Sequence, residues 1–229
     1  METKRFMKVI LISSVFLMCL AYTGYSQVLT KREIRNEWLK SNNPTTKDSI
    51  LLRILNKESV YKKDLINTIK ELKENNVDTL GLFRFFTLGN TKKTYTGGGG
   101  LYLVWQSKDQ YYVKRYTNEP VGKKSSLERS YFIDFFKQEY NVIRYDYLLP
   151  PIYSGKRVGG AVEYDGQIVM HDKYYTIFCQ LGEKFKVIEF GNSYVSDEKS
   201  LFYLDNVSAF SYHWFLIAEA EMKRSLLQP

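Results

Sequence analysis

The chain is poor in the residues that carry most metal, redox and acid–base chemistry. Among 229 residues it has two cysteines, two histidines, five prolines and 14 glycines. Two cysteines exclude a disulfide-built scaffold, and two histidines leave no spaced Cys/His cluster for zinc. No HExxH run occurs, so no metal or cofactor is expected. Few prolines and glycines beside 44% hydrophobic residues exclude a disordered or collagen-like chain. The glycine run Gly97–Gly100 lacks the Lys and Ser/Thr of a phosphate loop. It leads into Leu101-Tyr102-Leu103-Val104-Trp105, a strand pattern and not a helix.

What is present is a basic chain of net charge +8 in which one residue in six is aromatic. The first 26 residues have the layout of a secretory signal peptide. Lys4, Arg5 and Lys8 precede an apolar run over residues 9–22, and Gly24 and Ser26 supply the small residues that a signal peptidase reads. The expected cut lies between Ser26 and Gln27, with the bond after Ala21 as second choice. Met18 before Cys19 argues against a lipoprotein. An uncleaved N-terminal anchor is the minority reading, because only about 14 residues are consistently apolar where a span needs about 20. The remaining chain, 27–229, is expected to be a single exported α+β domain, periplasmic or secreted, with no membrane span.

Within it, Thr30 and Glu33 have the spacing of a capping box, predicting a helix over 31–41. Further helical patterns cover 47–56 and 59–75. A strand group spans about 80–117, with a tight turn at Ser107–Asp109. Ser125 and Glu128 then suggest a second capping box, opening a helix to Tyr140 with Leu127, Tyr131, Phe132, Phe135 and Phe136 on one side. The second strand group, about 161–190, is expected to contain hairpins at Asp165-Gly166 and at Gly182-Glu183. A C-terminal helix over 206–224, capped by Asp205, closes the order. Antiparallel strand groups that do not alternate with helices indicate α+β rather than a parallel sheet.

Single reactive groups find poor company. The Gly182-Glu183 hairpin would set Cys179 opposite Lys186 among Tyr175, Ile177, Leu181, Ile188 and Phe190, which is core and not a thiolate environment. It would set Glu189 opposite Thr176, beside Phe178, Phe185 and Val187. A carboxylate on an apolar face can act as an acid, and a secreted hydrolase using Glu189 is therefore the alternative reading, with a structural subunit of an envelope assembly as a third. His171 falls between strands and His213 beside Trp214, both ordinary places for a histidine.

The charge is local. Residues 77–124 hold eight bases against three acids, whereas 125–229 hold 11 against 14. Arg84, Lys92, Lys93, Lys108, Lys114, Arg115, Lys123 and Lys124 are interleaved with aromatics, and Tyr112, Lys114 and Tyr116 share one side of a strand. A basic aromatic sheet suits anions. In an exported protein the suitable anion is an envelope component or an acidic protein, and nucleic acid is a poor fit. Arg84, Lys92, Lys93, Tyr112, Lys114, Arg115 and Tyr116 are the candidate contacts, and the expected role is a non-enzymatic binding or accessory module.

Overall fold

The structure, a computed structural model, describes residues 26–42, 62–87, 100–116, 124–166 and 172–225. The leader, the 47–56 helix pattern, Lys92, Lys93, Lys123, Gly97–Gly99 and His171 lie outside them. In chain order the elements are β1 (Gln27–Val28), α1 (Lys31–Asn42), α2 (Lys62–Glu74), β2 (Thr79–Thr87), β3 (Gly100–Ser107), β4 (Gln110–Tyr116), β5 (Ser125–Leu127) and α3 (Tyr131–Ile143). They continue with β6 (Ile152–Val158), β7 (Ala161–Gly166), β8 (Lys173–Leu181), β9 (Lys184–Gly191), α4 (Ser193–Ser196), α5 (Tyr203–Ser208) and α6 (Phe210–Ser225). The class is α+β: six helices and two antiparallel sheets among the described residues, ending on a helix. No described helix is long and apolar enough to cross a membrane.

The chain divides into two compact units. The first joins the N-terminal residues through Asn42 to Ile152–Gly166. Its sheet has the order β1-β6-β7. The Thr30–Glu33 capping box forms as expected: the Thr30 amide and hydroxyl donate to Glu33 Oε2 at 2.8 and 2.7 Å, and the Glu33 amide returns to Thr30 Oγ1 at 3.3 Å. Ile34, fully buried, lies against Gly155, where a Cβ would meet Ile34 Cγ1 at 2.9 Å. The hairpin between β6 and β7 corrects an expectation. Its turn is Gly159-Gly160, with φ of 56° and 86°, while Asp165 and Gly166 pair in the ladder with Ser154 and Ile152. Two adjacent glycines satisfy the type I′ requirement of positive φ at both centres, which Asp-Gly meets less easily. The residues 167–170 expected to complete the other hairpin lie outside the described ones.

The second unit, Asn43–Pro151 with Gln167–Pro229, carries a six-stranded antiparallel sheet of order β5-β4-β3-β2-β8-β9. The first strand group and the β8–β9 part of the second thus meet in one sheet along β2 and β8, with Thr79 opposite Leu181 and Thr87 opposite Lys173, whereas β7 belongs to the other sheet. The β8–β9 hairpin has the expected register: Cys179 faces Lys186 and Thr176 faces Glu189. Gly182 takes φ 56° as the first turn residue.

Side-chain alternation gives the sheet two apolar faces. One packs Phe83, Tyr102, Val104, Tyr175, Ile177 and Phe190 against Phe132 and Phe136 of α3 and Trp214 and Phe215 of α6. Trp214 stacks between Phe132 and Phe136 at 5.2 Å from each and donates Nε1–H to the Phe132 carbonyl at 3.0 Å. The other face packs Leu80, Leu82, Leu101, Leu103 and Trp105 against Leu65, Ile69 and Leu72 of α2.

Two helix starts differ from the sequence reading. Ser125–Leu127 is an edge strand, with Leu127 opposite Tyr111, and the helix cap is Ser130, whose Oγ accepts from the Ile133 amide at 3.3 Å. Ser-x-x-Glu is a weak signal when its first residues can pair with a neighbouring strand. The shift also turns Tyr131 outward. The C-terminal helix is broken at Ala209, with φ −68° and ψ 139°. Buried Asn206 binds the Leu149 amide and carbonyl at 3.0 and 2.8 Å, and Asp146 Oδ2 accepts from the Ser211 amide at 2.7 Å. These long-range bonds create a second helix start, invisible to local pattern, and leave Phe210 exposed.

Candidate functional site

Helix α2 ends in a Schellman motif. The Val77 amide reaches the Leu72 carbonyl at 2.9 Å, the Asn76 amide reaches the Lys73 carbonyl at 3.0 Å, and Asn76 takes φ 55°. This close sends the chain directly into β2 and fixes the helix over β3 and β4. A cleft of about 600 Å³ opens between the helix end and the sheet, lined by Glu71, Asn75, Trp105, Lys108, Tyr112, Lys114 and Lys124, among others.

Its wall is an aromatic pair. Trp105 and Tyr112 face each other across β3 and β4 and stack at 5.6 Å. The Lys124 ammonium lies 3.7 Å from the Tyr112 ring centre and 5.3 Å from that of Trp105, a cation–π arrangement. Lys108 occupies the first position of the two-residue β3–β4 turn with φ 56°, a left-handed conformation that lysine adopts only at a cost. Neither Lys108 nor Lys124 forms an ion pair with a described carboxylate.

The residues chosen from sequence are dispersed. Tyr112 lines the cleft. Lys114 does too, but its Nζ lies 2.9 Å from Asp64 Oδ2, a charge contact, and donates to Thr68 Oγ1 at 3.2 Å. Tyr116 is buried and donates to the same hydroxyl at 3.0 Å, which in turn donates to the Asp64 carbonyl at 2.9 Å. Burial, more than the nearby Asp64, pushes the Tyr116 hydroxyl well above its ordinary range. Lys114 and Tyr116 therefore bolt α2 to the sheet. Arg84 is 2% exposed on the same face. Arg115 is exposed on the opposite face, 5.9 Å over the Tyr102 ring. The side of β4 that holds Tyr112, Lys114 and Tyr116 is shared as expected, but half of it is interior.

Several other reactive side chains are taken up by packing and internal hydrogen bonds. Cys179 is fully buried, and burial pushes its thiol far up, away from a nucleophilic thiolate. Lys186, opposite it as expected, donates to the carbonyls of Arg144 and Asp146 at 3.3 and 2.7 Å, and burial lowers its pKa to about 8. At the other end of α3, Glu221 accepts from Ser130 Oγ at 2.7 Å and the Phe132 amide at 3.0 Å. A buried anion at the N-terminus and a buried cation at the C-terminus match the dipole of one helix. Glu221 also lines a hollow of about 880 Å³ with Asp134, but Asp134 is held by Arg129 at 2.6 Å and Tyr111 at 2.7 Å. Glu189 is half-buried beside Thr176 as the register requires. Among the described residues no group of three or more His, Cys, Asp or Glu side chains is placed to hold a metal ion.

No family model fits the chain, and neither a curated protein nor a solved structure is significantly similar to it. The site is therefore judged on its own chemistry. Lys108 and Lys124 carry the cleft's available charge. Their sequence signals are a basic residue inside a two-residue turn and another just before a short edge strand.

Proposed function

We propose that the chain is an exported, non-enzymatic binding module of the cell envelope that holds an anionic group in the cleft between α2 and the β3–β4 hairpin. The ligand chemistry that fits best is an acidic sugar unit of an envelope glycan. One observation carries the reading: Lys108 and Lys124 stand beside a cleft with an aromatic wall, unpaired with described carboxylates, while the neighbouring Lys114 is neutralised from within. The volume lies in the range of small-ligand sites. The backbone at Lys108 supports the same reading. A glycine would be more stable at φ 56°, so the lysine stands at the rim against local conformational preference. Asn75, whose Nδ2 gives one hydrogen to the Glu71 backbone carbonyl at 2.8 Å, keeps a second N–H and its carbonyl oxygen, and the Glu71 carboxylate adds acceptors for ligand hydroxyl groups.

The test is binding of oligogalacturonate by calorimetry at low and moderate salt. Wild type is expected to bind with salt-sensitive affinity, and Lys108→Ser with Lys124→Ser should weaken binding about tenfold, at roughly 0.5–1 kcal/mol per exposed charge. Binding that is equal in both proteins and indifferent to salt overturns the site.

A further inference from the structure

We infer that Gln27 becomes an N-terminal pyroglutamate. The inference rests on the export reading, in which cleavage follows Ser26, and goes beyond it by assigning a covalent modification to the new terminus. Ser26 and Gln27 are exposed, and Gln27 is the first residue of β1, opposite Arg157. Its side-chain amide makes no hydrogen bond to another described residue, so the carboxamide is available to its own backbone nitrogen.

The reaction is an intramolecular acyl transfer. The α-amino nitrogen attacks Cδ, the N–Cδ bond forms, and the Cδ–Nε2 bond breaks. The nitrogen's proton leaves with Nε2 as ammonia. No oxidant, reductant or second substrate enters. Proximity of amine and amide on one residue supplies the effective concentration. The ring closes through N, Cα, Cβ, Cγ and Cδ. The Cα–C bond lies outside it, so the rest of β1 is undisturbed.

The strand is anchored beyond the reacting residue. Leu29 is buried, and its amide donates to the Gly155 carbonyl at 2.8 Å. The terminus is thus held without depending on a charged amine. Opposite β1, Arg157 and Lys156 are each ion-paired, with Glu37 and Glu163 respectively, at 3.1 Å. Cyclisation removes the terminal ammonium and leaves a neutral end that aminopeptidases do not attack.

The experiment is intact mass and aminopeptidase digestion of the full chain recovered from an exporting host, with Gln27→Asn in parallel. The expected result is a wild-type mass of the chain from residue 27 less one ammonia, resistant to stepwise digestion. The Gln27→Asn variant should have the uncyclised mass and be digested. A wild-type chain that begins at Gln27 with its ammonia retained and is digested overturns the modification and leaves export standing. A chain of precursor mass, or one beginning at Tyr22, overturns the processing itself.

Discussion

The two faces of the six-stranded sheet are built from the same strands but differ in how they use polar groups. On the α3–α6 face, buried charges serve one helix: Glu221 holds its N-terminus and Lys186 its C-terminus. The rest mixes aliphatic side chains such as Val104, Ile133 and Ile177 with stacked rings around Trp214. On the α2 face aliphatic side chains of the helix meet leucines, Trp105 and Phe178 of the sheet, Arg84 is buried, and Asp64, Thr68, Lys114 and Tyr116 tie the helix down. Beyond these ties the packing opens into the cleft. The first face closes the fold and the second leaves part of a strand pair accessible. A ligand site needs the second arrangement, mounted on the rigidity of the first.

Truncation at the centre of the closed face is the strongest way to break this contrast. Trp214→Ala should cost about 4 kcal/mol in denaturant unfolding, from lost ring contacts and the cavity left behind. If a rim substitution proves as costly, the faces are not different in kind. Next in size is a pH effect confined to the closed face. Burial lowers the Lys186 pKa from its ordinary 10.5 to about 8. Below that value the lysine is charged in both folded and unfolded chains. Above it the unfolded chain binds more protons at this site, so the lysine contributes a rise of about 2 kcal/mol up to about pH 9.5, opposed above about pH 8.5 by the buried Cys179 thiol, which stays protonated in the fold and ionises in the unfolded chain. Tyr111, Tyr116 and Tyr194, all raised by burial, work in the opposite direction above pH 10. Lys186→Met should abolish the rise, as read by denaturation at a series of pH values.

On the open face the effects shrink. Tyr116→Phe removes one hydrogen bond to Thr68, which keeps its Lys114 donor, and should cost about 1 kcal/mol. The smallest change has the opposite sign. Lys108→Gly relieves the left-handed turn and should stabilise the chain by about 0.5 kcal/mol while reducing oligogalacturonate binding. A stabilised protein with undiminished binding would separate the turn from the cleft.

Local signals in the sequence were readable where one short segment decides the outcome. The Thr30 capping box and the Gly182 hairpin are such cases, and the hairpin's turn alone set Cys179 against Lys186 and Thr176 against Glu189. Features decided by distant partners were not readable. Ser130 is the cap of α3 because Glu221 meets it from α6, and the last helix breaks because Asp146 and Leu149 supply a new start. The basic segment contains the β3–β4 hairpin, but alternation alone does not separate the lysines at the cleft rim from those held against α2. Period-two alternation puts Lys114 on a side of β4, and only the position of Asp64 on α2 shows that it is already neutralised.

The pairing of β2 with β8 bears on the order of assembly. The β3–β4 and β8–β9 hairpins involve near neighbours in sequence, but the seam that joins them pairs Thr79 with Leu181. Until β8 has been made and delivered, β2 has one unoccupied edge at what becomes the middle of the sheet. Such long-range closure is slow, because a large loop must be ordered before any seam contact forms. During that interval the waiting strand offers Leu82 and Phe83 with a row of unpaired amides and carbonyls, the form of surface that folding helpers hold and that aggregates share.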